Sequence, residues 1–400
     1  MGNIEALVPG ISGVDTAGLS RYDADELARY AADPGNPWWR RRACAVALAG
    51  RVPQRWVAEL LARVRDPDDT AEVRAALLDL FPDRTELLPW LRHEDRQHEQ
   101  YGMPAAFLKA RGMLGDRTAT AELVTLAASP WSRWQALGEA GLDGLVARHG
   151  VAEVLGDVGD RRPEDRAFRV RMRHRLGEDG TDALADPDRS VAYLAQSLLT
   201  DPNRLRDHLD RAPTTEAKLW AAYALYNLTE DVTETRAIYD RLGRPRVDVP
   251  GLDDELRAAI VHEYAPGCER HSDPRWRIEA LCTEPPARPD QQKQLDRAMA
   301  ALGAAGFAPQ SPVYCGDAHQ QGDGTYHVVK CGEVEVFIST LGRFATAYDA
   351  APAVPAALDA AGLRWIDEAT AAIRVTDLCV YYFGDRNPLT VDTLLFYWQD

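Results

Sequence analysis

DPGNPWWRRRACAVALAG (residues 33–50) and DPDDTAEVRAALLDLF (residues 66–81) have the same construction. Each begins with Asp-Pro, continues through a short polar turn to a basic residue, and ends in an apolar run rich in alanine or leucine. An Asp before a helix accepts hydrogen bonds from free backbone N–H groups, and proline is tolerated in the first helical turn. The two stretches therefore predict two copies of one helical unit.

The same register occurs six times when one residue of each copy is taken as the origin. Positions three and seven residues after that origin lie on one stripe of an α-helix, so small or apolar residues there form a seam. We predict that each copy is the second helix of a helical hairpin. The origins, each followed by its two seam residues, are Arg41 (Cys44, Leu48), Arg74 (Leu77, Phe81), Arg133 (Ala136, Ala140), Ala192 (Ala195, Leu199), Lys218 (Ala221, Leu225) and Arg277 (Ala280, and Glu284, where the pattern fails).

This pattern resembles the HEAT-repeat family of α-solenoids, whose paired helices include a Val-Arg pair at the start of the second helix. Val73-Arg74 matches that feature best, and the resemblance covers roughly residues 20–285. Tetratricopeptide-like and other helical repeats share such a register. The resemblance implies a mainly α fold with a HEAT-like solenoid over residues 1–285, in which Arg41 connects the start of its helix to a neighbouring turn.

Residues 283–290, TEPPARPD, contain three prolines and indicate a domain boundary. We therefore predict a second domain over residues 286–400, with one helix at 291–307 and another at 354–363. This domain is expected to be a small α+β fold with four or five antiparallel strands and helices on one face. The predicted strands are TYHVVK, EVEVFISTL, AIRVTDLCVYYF and TLLFYW, and the predicted turns are GDG (322–324), CGE (331–333) and FGDRNP (383–388).

The composition limits the classes of function. The chain has 46 Lys and Arg against 62 Asp and Glu, a net charge of -16, which disfavours binding to a nucleic-acid backbone. It has no apolar stretch of the length that a membrane span needs and no secretory leader, so we expect a cytoplasmic protein with no membrane partner. Six scattered cysteines indicate reduced thiols.

Residues 161–177, RRPEDRAFRVRMRHRLG, form the strongest local concentration of positive charge. In a helix, Arg166, Arg169 and Arg173 share one face, and this face is a candidate binding surface for an acidic partner or a phosphate. The alternative interpretation is a solvated helix face neutralised by nearby acidic residues.

The adjacent Trp38 and Trp39 are the second candidate binding feature. In a helical stack they cover its apolar end, and we include them among the expected partner-binding residues. Their combination with arginines also fits a nucleic-acid clamp, an alternative that the acidic net charge disfavours.

Two sets of residues have the chemistry of metal ligands. Cys315, His319, His327 and Cys331 provide two thiols and two imidazoles around the 322–324 turn, although their spacing is not that of a strong zinc motif. His-Glu pairs occur at 93–94, 98–99 and 262–263, and such pairs serve as iron ligands in helical-repeat hydroxylases. We expect no bound metal and no cofactor.

The sequence lacks the short catalytic motifs of nucleophilic, phosphate-binding and zinc-dependent enzymes, which favours a binding protein over an enzyme. Our leading hypothesis is a scaffold or adaptor that binds a protein or peptide partner on a helical-repeat surface. A refinement of it is neutralisation of a basic toxin by charge complementarity. The alternative is a HEAT-like enzyme acting on nucleic acid, of the alkyl-purine DNA glycosylase type, with the 161–175 arginines as its binding site.

Overall fold

The structure is a computed structural model, and it describes residues 4–93, 100–384 and 388–399. The described chain is mainly α-helical, with small and largely antiparallel sheets toward its C terminus, so the predicted fold class of mainly α followed by a small α+β part is confirmed. The chain forms two compact units, Met1–Met172 and Arg173–Asp400. Among the helices of the described residues, none combines the length and apolar character that crossing a membrane requires.

The first unit is built from helices joined by short turns. These are α1 (Ile4–Leu7), α2 (Thr16–Ser20), α3 (Ala24–Ala32), α4 (Trp38–Ala47), α5 (Val57–Arg65), α6 (Ala71–Leu78), α7 (Leu88–His93), α8 (Met103–Met113), α9 (Thr120–Ala127), α10 (Ser132–His149), α11 (Val151–Gly156) and α12 (Pro163–Arg175), the last of which continues into the second unit. Helix α4 packs on α6, α6 on α8 and α8 on α10, while α3, α5 and α9 pack against members of this row. The row α4–α6–α8–α10 positions the candidate site.

Two buried arginines connect successive helices of the first unit. Arg41 donates through Nε to the carbonyl of Ala31 at 2.9 Å and through both Nη atoms to Asp69, at 2.7 and 2.5 Å. Arg74 donates through Nε to the carbonyl of Val64 at 3.0 Å. In each case the acceptor carbonyl lies ten residues earlier, near the end of the preceding helix. Arg41 therefore joins α4 both to α3 and to the turn before α6.

All six predicted repeat copies are helical, and the seam is fully buried after Arg41, Arg74 and Lys218. In the copy at Arg133 the predicted register is wrong, because Ala136 is exposed. Helix α10 instead packs through Gly138, Gly141 and Gly144, which are all buried. A Cβ at Gly138 would lie 2.3 Å from the backbone nitrogen of Ala127, so only glycine permits this closeness of α10 and α9.

The second unit combines helices with three sheets in its described residues. Its helices are α13 (Arg189–Leu198), α14 (Pro202–Arg211), α15 (Thr215–Thr229), α16 (Val232–Arg241), α17 (Asp254–Tyr264), α18 (Pro274–Cys282), α19 (Gln291–Ala304), α20 (Cys315–Ala318), α21 (Ala353–Ala360), α22 (Glu368–Ala371) and α23 (Val391–Leu395). Its strands are β1 (Val313–Tyr314), β2 (Asp323–Gly324), β3 (Tyr326–Cys331), β4 (Val334–Ser339), β5 (Phe344–Ala347), β6 (Arg364–Trp365), β7 (Arg374–Val375), β8 (Leu389–Thr390) and β9 (Trp398–Gln399).

The main sheet has the order β1-β3-β4-β5-β6. Its first four strands are antiparallel, whereas β6 runs parallel to β5, because α21 makes the crossover between them. Helices α19 and α21 pack on this sheet through one shared apolar core. The expectation that every strand is antiparallel is therefore wrong for one pair.

Two predicted strands differ in the structure. Within 372–383 only Arg374–Val375 forms a strand, because the backbone further along bonds to residues 269–273 instead: Glu269 donates to the carbonyl of Cys379 and Asp273 to that of Asp377. In TLLFYW (393–398) the first three residues belong to α23, whose N-cap Thr390 accepts a bond from the backbone of Thr393, and only Trp398 belongs to a strand, β9. The predicted 322–324 turn contains strand β2, and residues 385–387 of the predicted 383–388 turn lie outside the described residues.

One apolar core of the second unit includes side chains from α17, α18 and residues 341–395. Tyr264 donates its hydroxyl to the carbonyl of Leu394 at 2.6 Å, and Trp276 donates its Nε1 to that of Thr376 at 3.3 Å. Residues on both sides of position 285 thus belong to one compact unit. The division into domains 1–285 and 286–400 stays a prediction.

Candidate functional site

A groove of about 650 Å³ lies on the first unit along α4, α6, α8 and α10, and we call it the helical groove. Its lining includes five small residues from these helices and the turns beside them, Ala49, Ala75, Ala76, Gly102 and Ala106, and we call these the floor of the groove. The other lining side chains are larger or charged. The lining residues are Trp38, Arg42, Val46, Ala49, Glu72, Ala75, Ala76, Asp79, Leu80, Gly102, Ala106, Lys109, Arg133 and Leu137.

The repeat register explains which residues line this groove. Because successive residues of an α-helix are about 100° apart, burial of Arg41 turns Arg42 outward, and burial of Arg74 does the same for Ala75. Four residues further along the chain, Val46 of α4 and Asp79, the C-cap of α6, also line the groove. The groove is thus the surface beside the buried seam of each copy.

The charged side chains of the groove fall into two groups. Lys109 and Asp79 neutralise each other, with Nζ 2.8 Å from a carboxylate oxygen. Arg42, Glu72 and Arg133 are exposed, and none of the three forms an ion pair with another residue in the described part of the chain. The groove therefore presents two unpaired guanidinium groups.

Aromatic rings lie beside one end of the groove. Arg133 lies over the ring of Trp134, with its Cζ 5.1 Å from the centroid, and Tyr101 packs edge-on against the same ring at 5.3 Å. Tyr101 is 80% exposed. Gly102, which follows Tyr101, has φ +95°, a backbone conformation that favours glycine. Exposed aromatic and arginine side chains are typical anchors of protein interfaces.

Trp38 and Trp39 have different positions. Both are partly buried against the core of the first unit, with their ring centroids 6.0 Å apart. Trp38 lines the helical groove, whereas Trp39 is not one of its lining residues. Their role in partner binding stays a prediction, which the groove supports for Trp38.

The three candidate arginines of α12 bond to nearby parts of their own chain. Arg166 donates to the carbonyls of residues 160 and 161, and Arg169 to those of residues 155 and 158. Arg173 bonds to the carboxylates of Glu178 and Asp182, which raise its pKa. These contacts neutralise Arg173. They hold the guanidinium groups of Arg166 and Arg169 against backbone carbonyls in α11 and in the residues between α11 and α12. Partner binding by this set stays a prediction.

The Cys-His set is not brought together. Cys315 packs with Tyr326 and Val328 on one face of β3, whereas Cys331 belongs to the core on the other face. His319 lies 4.1 Å from the ring of Trp398, and burial lowers the pKa of His327. Among the described residues no three His, Cys, Asp or Glu side chains are arranged to hold a metal ion. Of the His-Glu pairs, residues 94, 98 and 99 lie outside the described residues.

A second cavity, of about 800 Å³, lies in the second unit, and we call it the carboxylate pocket. Asp349, Asp367, Glu368 and Asp392 line it together with Tyr348 and Trp365. Tyr348 donates its hydroxyl to Oδ2 of Asp392 at 3.2 Å, while Oδ1 of Asp392 is buried without a hydrogen-bond partner. Burial raises the pKa of Asp392. Burial therefore disfavours the ionised form of Asp392 in this pocket.

We expect D392N to become more stable relative to the native chain as pH rises. A carboxyl whose pKa is raised by folding stabilises the fold while it is protonated, and this contribution is lost as pH rises through the raised pKa. Between pH 4.5 and pH 8 the Tm of D392N minus that of the native chain should increase by about 2–4 °C. D349N, which changes an exposed carboxylate of the same pocket, is the matched control. A Tm difference for D392N that does not change with pH would contradict this assignment.

Comparison of the chain with protein-family models, with curated protein sequences and with solved structures finds no match. The helical groove is therefore the feature of the chain that bears on function. Sequence reasoning missed Arg42, Lys109 and Tyr101 as site residues. The position next to each buried arginine of the repeat is the signal that identifies Arg42.

Proposed function

We propose that this protein is an interaction scaffold that binds a segment of a protein partner in the helical groove. The observation that carries the proposal is the groove itself: four helices that pack in a row line it, and its lining combines small side chains with Trp38 and with charged groups. Stacked helical hairpins bind partners in this way, because each helix contributes a few side chains to one continuous surface.

A HEAT-like solenoid is the architecture that we propose for the first unit. The successive packing of α4, α6, α8 and α10 supports it. So do Arg41 and Arg74, which occupy equivalent places in two copies and bond to carbonyls at the same spacing. We also propose a cytoplasmic location, since all six cysteines are free.

Neutralisation of a basic toxin remains a refinement of this proposal. Its support is the net charge of -16, which favours the approach of a cationic protein. The helical groove does not contribute to that attraction, because its own unpaired groups include two arginines. A basic toxin would therefore bind elsewhere on the surface.

The alternative proposal is an enzyme acting on nucleic acid through Arg166, Arg169 and Arg173. The bonds of these arginines within their own chain favour the protein-binding proposal instead. Retention of the full chain on heparin at low salt, abolished in R166E/R169E/R173E, would favour the enzyme. Elution in the flow-through would favour the scaffold.

Blocking the helical groove tests the proposed function. Peptides of about 20 residues, a length that spans about 30 Å as a helix, are selected from a random phage-displayed library on the full-length chain. We expect A75W and A49W each to weaken the selected peptides at least about 10-fold, because the indole fills the space above the floor. A58W places the same ring on an exposed position of α5, outside the groove, and should leave binding unchanged.

Circular dichroism and Tm measurements identify any groove variant that has lost its fold, and the two independent groove variants guard against such a loss. Selected peptides that bind all three tryptophan variants equally, or a library that yields no binder, would overturn the proposed function.

A further inference from the structure

We infer that the partner segment held in the helical groove is acidic and amphipathic, with carboxylates that pair with Arg42 and Arg133. This inference rests on the proposed function and specifies its partner. It depends on three observations: unpaired cations in the groove, helix N-termini without side-chain caps, and an apolar floor.

The unpaired cations are unusual for this chain. Most other described arginines are engaged by carboxylates or carbonyls, as Arg41, Arg117 and Arg257 are. Arg42 has no such partner in the described residues, and Arg133 contacts the face of Trp134. A guanidinium binds a carboxylate through two parallel hydrogen bonds, and ring contact at Arg133 holds that group in place. Two positive positions on one groove, one of them held by an aromatic ring, select for negative charge.

The helix N-termini add to this positive potential. The first turns of α4, α6 and α10 contribute Trp38, Glu72 and Arg133 to the groove, and Gly102 precedes α8. In these four helices the N-cap side chain accepts no hydrogen bond from the first turn, whereas α3, α14, α16, α17 and α18 are each capped by an aspartate. Uncapped N–H groups and the positive ends of the helix dipoles favour an approaching carboxylate.

The charge of the groove opposes that of the whole chain. Arg42, Lys109 and Arg133 against Glu72 and Asp79 leave the lining residues at +1, in a chain of net charge -16. At physiological ionic strength, charges more than about 8 Å away are largely screened, so the groove residues decide what binds in contact with them. The surrounding negative charge still weakens the binding of a segment that carries carboxylates alone.

The floor therefore requires apolar residues in the same partner segment. Ala75, Ala76 and Ala106 leave space that a leucine or aromatic side chain fills, and Trp38 lies at the side. Four helices in a row span three interaxial distances of about 8–10 Å each, close to the length of a helix of about 20 residues. An acidic amphipathic helix from a protein partner matches both the charge and the extent of the groove.

Single-stranded nucleic acid also combines negative charge with stacking groups. The alanines of the floor and the carboxylate of Glu72 in the same lining favour a peptide over a phosphate backbone. Binding of single-stranded nucleic acid in the groove would therefore contradict the inference.

The test uses the peptides selected on the full-length chain and counts their charged residues. We expect enrichment of Asp and Glu together with Leu, Phe or Trp relative to the input library. R42Q and R133Q should each weaken these peptides about 10-fold, since each removes one charge-assisted contact. R21Q/R161Q, which removes two exposed arginines outside the groove, changes the net charge as much as R42Q/R133Q does and should weaken binding less than twofold.

A charge exchange separates direct pairing from a structural effect. R42E/R133E should lose the acidic peptides and gain binding to versions in which their Asp and Glu are replaced by Lys. Basic or neutral peptides that are lost in A75W but retained in R42Q/R133Q would overturn the inference while leaving the proposed function intact. Absence of any groove-dependent peptide would overturn both. A labelled single-stranded DNA of about 20 nucleotides that competes with the peptides and depends on both arginines would also overturn the inference.

Discussion

R41A is expected to lower the free energy of unfolding of the first unit by about 3–5 kcal/mol. The side chains of Arg41 and Asp69 are only 3% and 2% exposed and form two parallel hydrogen bonds. Removing the arginine leaves a carboxylate buried without its counter-charge and also frees the carbonyl of Ala31. D69A should destabilise to a similar extent, and R41A/D69A should cost less than the sum of the single changes, because both remove the same interaction.

The measurement is hydrogen exchange of the backbone amides of α3–α6 in the full-length chain, read by mass spectrometry under native conditions. R55A provides the control, since Arg55 pairs with Asp25 through side chains that are 70% and 37% exposed. Such a surface pair contributes at most about 1 kcal/mol. If R41A loses no more protection than R55A, the buried pair does not hold α4 and α6 together.

G138A is expected to destabilise the first unit by about 3 kcal/mol or more, although alanine ordinarily favours a helix over glycine by about 0.5–1 kcal/mol. The added methyl group would lie 2.3 Å from the backbone nitrogen of Ala127, and a backbone atom cannot move aside as the end of a flexible side chain can. Helices α9 and α10 would have to separate.

G156A is the matched control in the same unit. Gly156 is the last residue of α11, and a Cβ there meets no atom within 4 Å. We expect this change to be neutral or to raise the Tm slightly, through a smaller conformational entropy of the unfolded chain. Thermal unfolding followed by circular dichroism compares the two variants, and a Tm for G138A at or above that of G156A would contradict the proposed close packing.

The helices that carry Arg41, Arg74 and Lys218 could be predicted from the sequence, because their apolar period and their preceding turns agree. The register at Arg133 could not, since glycines rather than alanines form the contact surface of α10. The spacing of Gly138, Gly141 and Gly144 was a signal for close helix packing.

The strand predictions at 372–383 and 393–398 are correct only at Arg374–Val375 and Trp398, for a different reason. Their β-branched and aromatic residues suit a sheet, but the first segment finds backbone partners at residues 269–273 and the second is capped as a helix. The contacts of the first segment join residues about 100 positions apart, and a local sequence pattern cannot predict such contacts.

The candidate site was predictable only in part. Trp38 was identified from composition, and the face that includes Arg42 follows from the burial of Arg41. Arg133 and Tyr101 both contact the ring of Trp134, and Gly102 lies beside the same ring. No rule of sequence spacing predicts these contacts.

The bond from Tyr264 to Leu394 joins residues that are 130 positions apart, which has a consequence for synthesis on the ribosome. At roughly 5–20 residues per second, helix α17 is made on the order of ten seconds before the segment that covers it. During that interval the apolar side of α17 that packs against this segment is exposed to solvent. We therefore expect nascent chains that stall before residue 394 to be held by chaperones or degraded, and ribosome-bound intermediates of increasing length to become protease-resistant only after this segment has emerged.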